Sequence, residues 1–344
     1  MEFETILREK EFSCNIPDMV IVLSEGVTEA QVTVTIDGST AIDELMYAVS
    51  GIITLQDLTD LVTPYARQRH SVTLQVSVTE EGQPAQTTQC DVVYCQAEFS
   101  DMTPADFLSQ HFMSILMGTK LTAMGRLEFL HMQGSDTPHC TARYSDDTVS
   151  TFTVEVVQQG SGYKTLDVSP DNFVTAGKVL IGYTIIAGNR MQEFEIDLSQ
   201  PDCAPILVFT NSFGLDELAY CTGIHKVDPS YKRSMTYVGS IQRNYRIEET
   251  RAFKADTGPL SMAMANWWDD VFRSQSVRIV NFYDGHPNVG KDLVITDSKS
   301  EYTNDDAELP RFTFTYQYAQ RNHNVVQMLR AGRIFDNTFD NTFN

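Results

Sequence analysis

Positive charge is what this sequence has least of. Lys and Arg number 25 against 46 Asp and Glu, a net charge of −21. Such a surface repels nucleic acid and anionic lipid, which disfavours a genome-binding or membrane-surface role. Long apolar runs are also missing, so no segment has the length of a membrane span. The opening MEFETILREKEFSC has no apolar stretch after basic residues, and a secretory signal is not expected; synthesis and retention in a cytoplasm are. The six cysteines, at 14, 90, 95, 140, 203 and 221, make no CxxC or zinc-ribbon spacing. They are expected to be scattered buried thiols in a reducing compartment.

The motifs of catalysis are equally scarce. NVGKD at 288–292 has a Gly-Lys pair but no following Ser or Thr, so it is not a phosphate loop. There is no nucleophile elbow. The DGHP stretch at 284–287 reads as a turn, Glu193 and Glu195 as the wet face of a strand, and His139-Cys140 lacks a second ligand pair. No residue set points to an enzyme, a metal or a cofactor.

What remains is a well-patterned β-rich chain. A content of 42% hydrophobic and 21% charged residues can bury a sizeable core, and 344 residues fit two or three domains. Alternating runs such as QVTVTIDG, SVTLQVSV, MQEFEIDL and RFTFTYQY read as strands, with Asp37-Gly38 as a turn. DVVYCQAEF reads as the last strand of the first hundred residues. Three helices interrupt the strands. One follows a Thr54–Asp57 capping box and stops or kinks at Pro64. The second is capped by Thr103, and the third has Pro259 in its first turn. The expected fold is mainly β with a few helices (α+β): consecutive β-sandwich-like modules with short connecting helices. Modules are expected at 1–100, 101–200 and 201–330, followed by an extended arm at 331–344.

Several residues are candidates for contact. Phe312, Phe314, Tyr316 and Tyr318 share one face of a strand, which serves either the core or a partner surface. Lys232 and Arg233, near His225 and Lys226, form a local basic cluster suited to an acidic neighbour. Trp267-Trp268 on a helix directs Trp267 to the core and leaves Trp268 as a carbohydrate-stacking candidate. The chain ends FDNTFDNTFN, in which Phe335, Phe339 and Phe343 recur every fourth residue. An extended arm could set these rings in pockets of a neighbouring chain; folding back or fraying is the alternative.

Three segments resemble recurring elements in structural proteins of tailed phages and prophages of gut Bacteroidales. They are VSGIITLQDLTDLVTPYA, FTNSFGLDELAYCTG and LSMAMANWWDDVFRSQSVRIV, and the FDNTFDNTFN ending is similar in style. The resemblance implies a non-enzymatic virion component of the tail or baseplate, made in the bacterial host cytoplasm. It implies partners in other virion proteins and in further copies of the chain, with a ring as the expected homo-oligomer and no nucleic acid or membrane partner. A carbohydrate-binding or adhesin-like multi-module protein is the alternative.

Overall fold

The computed structural model describes residues 1–99, 101–160, 162–283, 286–301 and 308–319. The chain is mainly β, built as sandwich-like modules with few helices.

The first module contains β1 (Glu2–Phe3), β2 (Lys10–Phe12), β3 (Met19–Val22), β4 (Glu29–Ile36), β5 (Ser39–Tyr47), β6 (Ile52–Leu55), α1 (Leu58–Arg69), β7 (Ser71–Thr79) and β8 (Gln86–Val93). Its two sheets have the orders β1-β3-β6 and β2-β8-β7-β4-β5. Alternation decides their faces: Val32, Val34, Val76 and Val92 from one sheet meet Met19, Ile21, Ile53 and Leu55 from the other. The Asp37-Gly38 turn has φ of 49° and 76°, the pair of positive values a tight hairpin needs.

Two local expectations fail here. Thr54 is claimed by β6, where it pairs with Val20, so no capping box forms and α1 begins after a left-handed Asp57. The helix also runs through Pro64 rather than stopping there. Leu58, Val62 and Ala66, on both sides of the proline, are buried in the module core. Thr59 and Thr63 bond the backbone at Ile16 and Ser13. This packing outweighs a helix-interior proline penalty of about 3 kcal/mol. DVVYCQAEF is strand only in its first three residues: β8 ends at Val93, and the chain then runs to the other modules, where the Gln96 N–H donates to the Ser212 carbonyl.

The second module contains α2 (Pro104–Gln110), β9 (Lys120–Thr122), β10 (Phe129–Met132), β11 (His139–Tyr144), β12 (Val149–Thr153), β13 (Glu155–Gly160), β14 (Tyr163–Asp167), β15 (Leu180–Ala187) and β16 (Arg190–Ile196). The sheets are β10-β14-β13 and β12-β11-β15-β16-β9. TFTVEVV breaks at buried Val154, passing from one sheet to the other. Thr103 caps α2 by accepting from the Asp106 N–H at 3.2 Å.

The third module contains β17 (Ile206–Thr210), β18 (Asp216–Tyr220), β19 (Lys226–Val238), β20 (Ile241–Asp256), α3 (Met262–Arg273), β21 (Val277–Tyr283), β22 (His286–Lys299) and β23 (Thr313–Tyr318). They form one sheet, β18-β17-β21-β22-β23-β20-β19. α3 covers one face through Ala265, Trp267, Trp268 and Val271. Ser261, not a proline, starts this helix: its Oγ accepts from the Met264 N–H at 3.3 Å, and Pro259 lies before the cap. On the opposite face Val208, Leu218 and Val280 meet Leu127 and Phe129 of the second module.

All three modules contribute to one further apolar cluster. Phe12, Val93 and Cys95 come from the first, Phe107, Leu108 and Met113 from the second, Phe213 and Leu215 from the third. The Phe107 and Phe213 rings stack at 5.5 Å.

Candidate interaction ribbon and the cleft at the module junction

β19 and β20 extend well past the sheet that holds them. β20 pairs with β23 only over Phe253–Asp256, whereas its pairing with β19 continues from Lys226↔Lys254 to Val238↔Ile241. Residues 228–238 thus run on beside 241–252 as a two-stranded ribbon, about 35 Å long at ~3.3 Å per residue. A bulge between Ser234 and Met235 leaves Tyr245 without an opposing residue. No other described strand pairs with the ribbon beyond Phe253.

Alternation gives the ribbon two unlike faces. One carries Tyr231, Met235, Tyr237 and Ile247, which are 45%, 59%, 71% and 46% exposed. Arg233 lies on the same face, its guanidinium 5.2 Å from the Tyr231 ring centre. The other face carries Lys232, Arg243 and Arg246, with Arg246 paired to Glu248, and ends at the tip in the exposed Val238 and Ile241. Residues 230–247 contain these four cations and no Asp or Glu, while the rest of the chain holds the other 21 Lys and Arg against all 46 acids. The whole ribbon also holds Arg251 against Asp228, Glu248 and Glu249, so its net charge is +2 and it projects from a body of charge −23.

The junction of the three modules forms a cleft of about 600 Å³ whose walls include Asn15, Gln96, Glu98, Asn266, Asp269 and Arg273. Its base is organised by the NSFG turn. Asn211 Oδ1 accepts from the Phe213 and Leu215 N–H groups at 2.9 and 3.0 Å. Its Nδ2 donates to the Met113 carbonyl at 2.9 Å and to Glu217 at 2.6 Å. Glu217 also accepts from the Trp267 indole at 2.9 Å. Gly214 sits at φ 75°, and a Cβ there would lie 3.0 Å from the Tyr94 ring, so the turn needs glycine twice over. Ser212 bridges modules: its carbonyl accepts from Gln96 N–H at 2.8 Å, while its own N–H and Oγ donate to Asp270 at 3.0 and 2.6 Å. Burial pushes the Asp270 carboxyl up to about 6 in spite of those two bonds.

A second polar link joins modules two and three. Lys120 and Glu128, 7% and 1% exposed, pair at 2.7 Å. Thr122 Oγ1 donates to the same carboxylate at 2.8 Å, and the Lys120 ammonium lies 4.7 Å from the Trp267 ring centre. Among the described residues no cluster of three or more His, Cys, Asp or Glu could hold a metal ion, and no helix is long and apolar enough to cross a membrane.

The contact candidates read from sequence are widely separated. Phe312, Phe314, Tyr316 and Tyr318 are 0%, 3%, 0% and 8% exposed. They face α3 and the core, so their rings offer no partner surface here. Trp268 is 0% exposed and tilts against Phe272 and Phe314, which rules it out as a sugar platform in this fold. The geometric argument that one of two adjacent tryptophans must be exposed fails because the second core flank, built by β23, covers it. His225 belongs to the core edge: it lies nearly parallel to Phe253 and Tyr316, bonds the Tyr316 hydroxyl at 3.0 Å, and burial lowers its pKa to about 4. Lys232 and Arg233 are exposed and stand on the ribbon, on its opposite faces. Phe335, Phe339 and Phe343 lie outside the described residues.

No family model matches the chain and no curated protein does. Solved structures overlap it at low scores. A 1.5-MDa bacterial ice-binding adhesin aligns at 11% identity and TM-score 0.17, covering 74% of this chain and 89% of the other. The Bacteroides ovatus mixed-linkage glucan utilization locus protein SGBP-B, solved with a mixed-linkage heptasaccharide, aligns at 10% and 0.17, covering 88% and 72%. A Ca2+-stabilized, ice-binding adhesin of an Antarctic bacterium aligns at 9% and 0.14, covering 79% and 67%. At these TM-scores the overlaps carry no argument about this chain.

Proposed function

We propose that this protein is a non-enzymatic assembly subunit, three packed β-modules that hold out an amphipathic ribbon for docking to a second copy of the chain. The ribbon carries this reading. A two-stranded ribbon is marginal in water on its own, and one lined with exposed Tyr, Met and Ile is an interaction or aggregation surface. Its charge selects the partner: a +2 ribbon, with its cations gathered at 230–247, is complementary to the −23 body that every other copy presents. A contact between two different surfaces of one chain is heterologous and generates a ring when the rotation closes. The tail or baseplate of a phage or phage-like particle, with other virion proteins as neighbours, is the setting that the resemblance of the NSFG and TLQDLTDL segments supports.

The test is sedimentation of the full chain beside a Met235→Ser/Tyr237→Ser double variant. Both positions are exposed, so the variant should stay folded. Burying such side chains is worth about 1.5–3 kcal/mol each, so association should weaken at least ~100-fold and should also fall with added salt. A wild-type chain that remains monomeric at about 100 µM in low salt would overturn the proposal. The adhesive or carbohydrate-binding reading is favoured by one observation, the exposed rings of Tyr231, Tyr237 and Tyr245. Selective retention of the monomer on a glycan array would decide for it.

A further inference from the structure

Two cysteines far apart in sequence meet at the edge of the junction cleft. β2 and β8 run parallel with the register Lys10↔Asp91, Glu11↔Val92 and Phe12↔Val93. Past these pairs the chain turns at Ser13–Cys14, where the Asn15 N–H donates to the Phe12 carbonyl at 3.1 Å. Ser13 keeps the strands together beyond their last pair: its N–H donates to the Val93 carbonyl at 2.9 Å, its Oγ donates to the Cys95 carbonyl and accepts from the Cys95 N–H, both at 3.1 Å. The two thiols converge on one acceptor, the Ala97 carbonyl, at 3.4 Å from Cys14 and 3.3 Å from Cys95. All six cysteines are free thiols.

We propose that Cys14 and Cys95 are a peroxide-responsive thiol pair that closes into a disulfide at the cleft. Both sulfurs lie within 3.4 Å of the same carbonyl oxygen, so they are already neighbours, and closure draws them together to the ~2.05 Å of an S–S bond. Access is unequal, as a two-step oxidation requires. Cys14 is partly buried and lines the cleft, whereas Cys95 is fully buried behind it. The neighbouring Cys95 thiol is the largest influence on Cys14 and draws it below the ordinary value, while burial drives Cys95 well above it.

The chemistry balances with hydrogen peroxide as oxidant. The Cys14 thiolate attacks one peroxide oxygen, the O–O bond breaks, and the leaving hydroxide takes a proton to become water. Cys14 is then a sulfenic acid. The Cys95 sulfur attacks the Cys14 sulfur, the S–O bond breaks, and the departing hydroxyl leaves as water with the Cys95 proton. Two thiols and one peroxide become one disulfide and two waters. The new bond ties together the segments that supply Asn15 and Gln96 to the cleft walls. Cys90 and Cys140 are buried with no cysteine among their charged neighbours; Cys221 is fully buried near Cys203, whose sulfur accepts from Arg126 at 3.3 Å and which shares no acceptor with it.

The full chain, reduced and freed of reductant, is treated with hydrogen peroxide, blocked with N-ethylmaleimide under denaturing conditions, and mapped by non-reducing peptide mass spectrometry. A single Cys14–Cys95 link with the other four cysteines blocked is expected. Cys95→Ser should accumulate Cys14 sulfenic acid, trapped by dimedone, and Cys14→Ser should leave Cys95 blocked and unoxidised. Oxidation that avoids Cys14, or a link between other cysteines, in wild-type protein whose circular dichroism is unchanged would overturn the assignment. The wild-type map decides even where one variant fails to fold.

Discussion

Asp270 gives the module junction a calculable response to pH. Its carboxyl is 4% exposed, receives two hydrogen bonds from Ser212, and titrates near 6 in the fold against an ordinary 3.8. The folded value is the higher one, so folding favours the protonated acid. The stabilisation is complete below the unfolded pKa and is lost as pH rises through about 6. A shift of about two pK units caps it near 3 kcal/mol, of which about 1.4 kcal/mol is lost between about pH 5 and pH 7.5. Urea unfolding of wild type and Asp270→Asn at both values isolates the effect. The rest of this acidic chain also gains on approach to its pI of about 4.6, but equally in both proteins. The amide keeps an acceptor for the Ser212 hydroxyl and loses one for the Ser212 N–H, a cost that does not vary with pH. Wild type should therefore gain about 1.4 kcal/mol on the variant at the lower pH. Parallel stability curves would refute the assignment of that titration to Asp270.

Two further outcomes test the polar links between modules. Lys120→Met strands Glu128 without its cation, so unfolding free energy should fall by about 3–5 kcal/mol, and adding Glu128→Gln should restore more than half of it; equal single and double losses would show that the pair is not coupled. Asn211→Ala removes four hydrogen bonds and leaves the buried Phe213 and Leu215 N–H groups without their acceptor, which should cost about 2–4 kcal/mol, read from the thermal midpoint.

Much of the fold is legible because alternation is a local property. Val32, Val34 and Ile36, or Phe312, Phe314 and Tyr316, announce a strand and its buried face without reference to anything distant. The misreadings lie where tertiary context overrules local preference. Pro64 is tolerated because both of its helical flanks are pinned to a sheet, and Trp268 is buried because β23, remote in sequence, arrives beside it. The Cys14–Cys95 contact was invisible for the same reason: it depends on a parallel pairing across the whole first module. In sequence Cys90 and Cys95 are the nearer pair, yet they fall on different sides of the end of β8.

The ribbon is the instructive omission, because its signal was present. Tyr231, Arg233, Met235 and Tyr237 alternate, Gly239-Ser240 marks a turn, and Pro229 suits an edge strand. Whole-chain averages conceal it: a net charge of −21 directs attention to repulsion, while residues 230–247 hold four cations and no acid, with Glu248 just beyond them paired to Arg246. Alternation that elsewhere sorts core from solvent here puts Tyr231, Met235 and Tyr237 on one face and Lys232, Arg243 and Arg246 on the other, with Val238 and Ile241 at the tip of the second. Lys232 and Arg233 were singled out as a cluster, but as neighbours on a strand they point to opposite faces. One stands with the cations and the other among the tyrosines, so Lys232→Glu should weaken the electrostatic approach of an acidic partner while Arg233→Glu disturbs the apolar contact. The two changes make the same alteration in net charge, and unequal effects on association would show that the ribbon is read face by face.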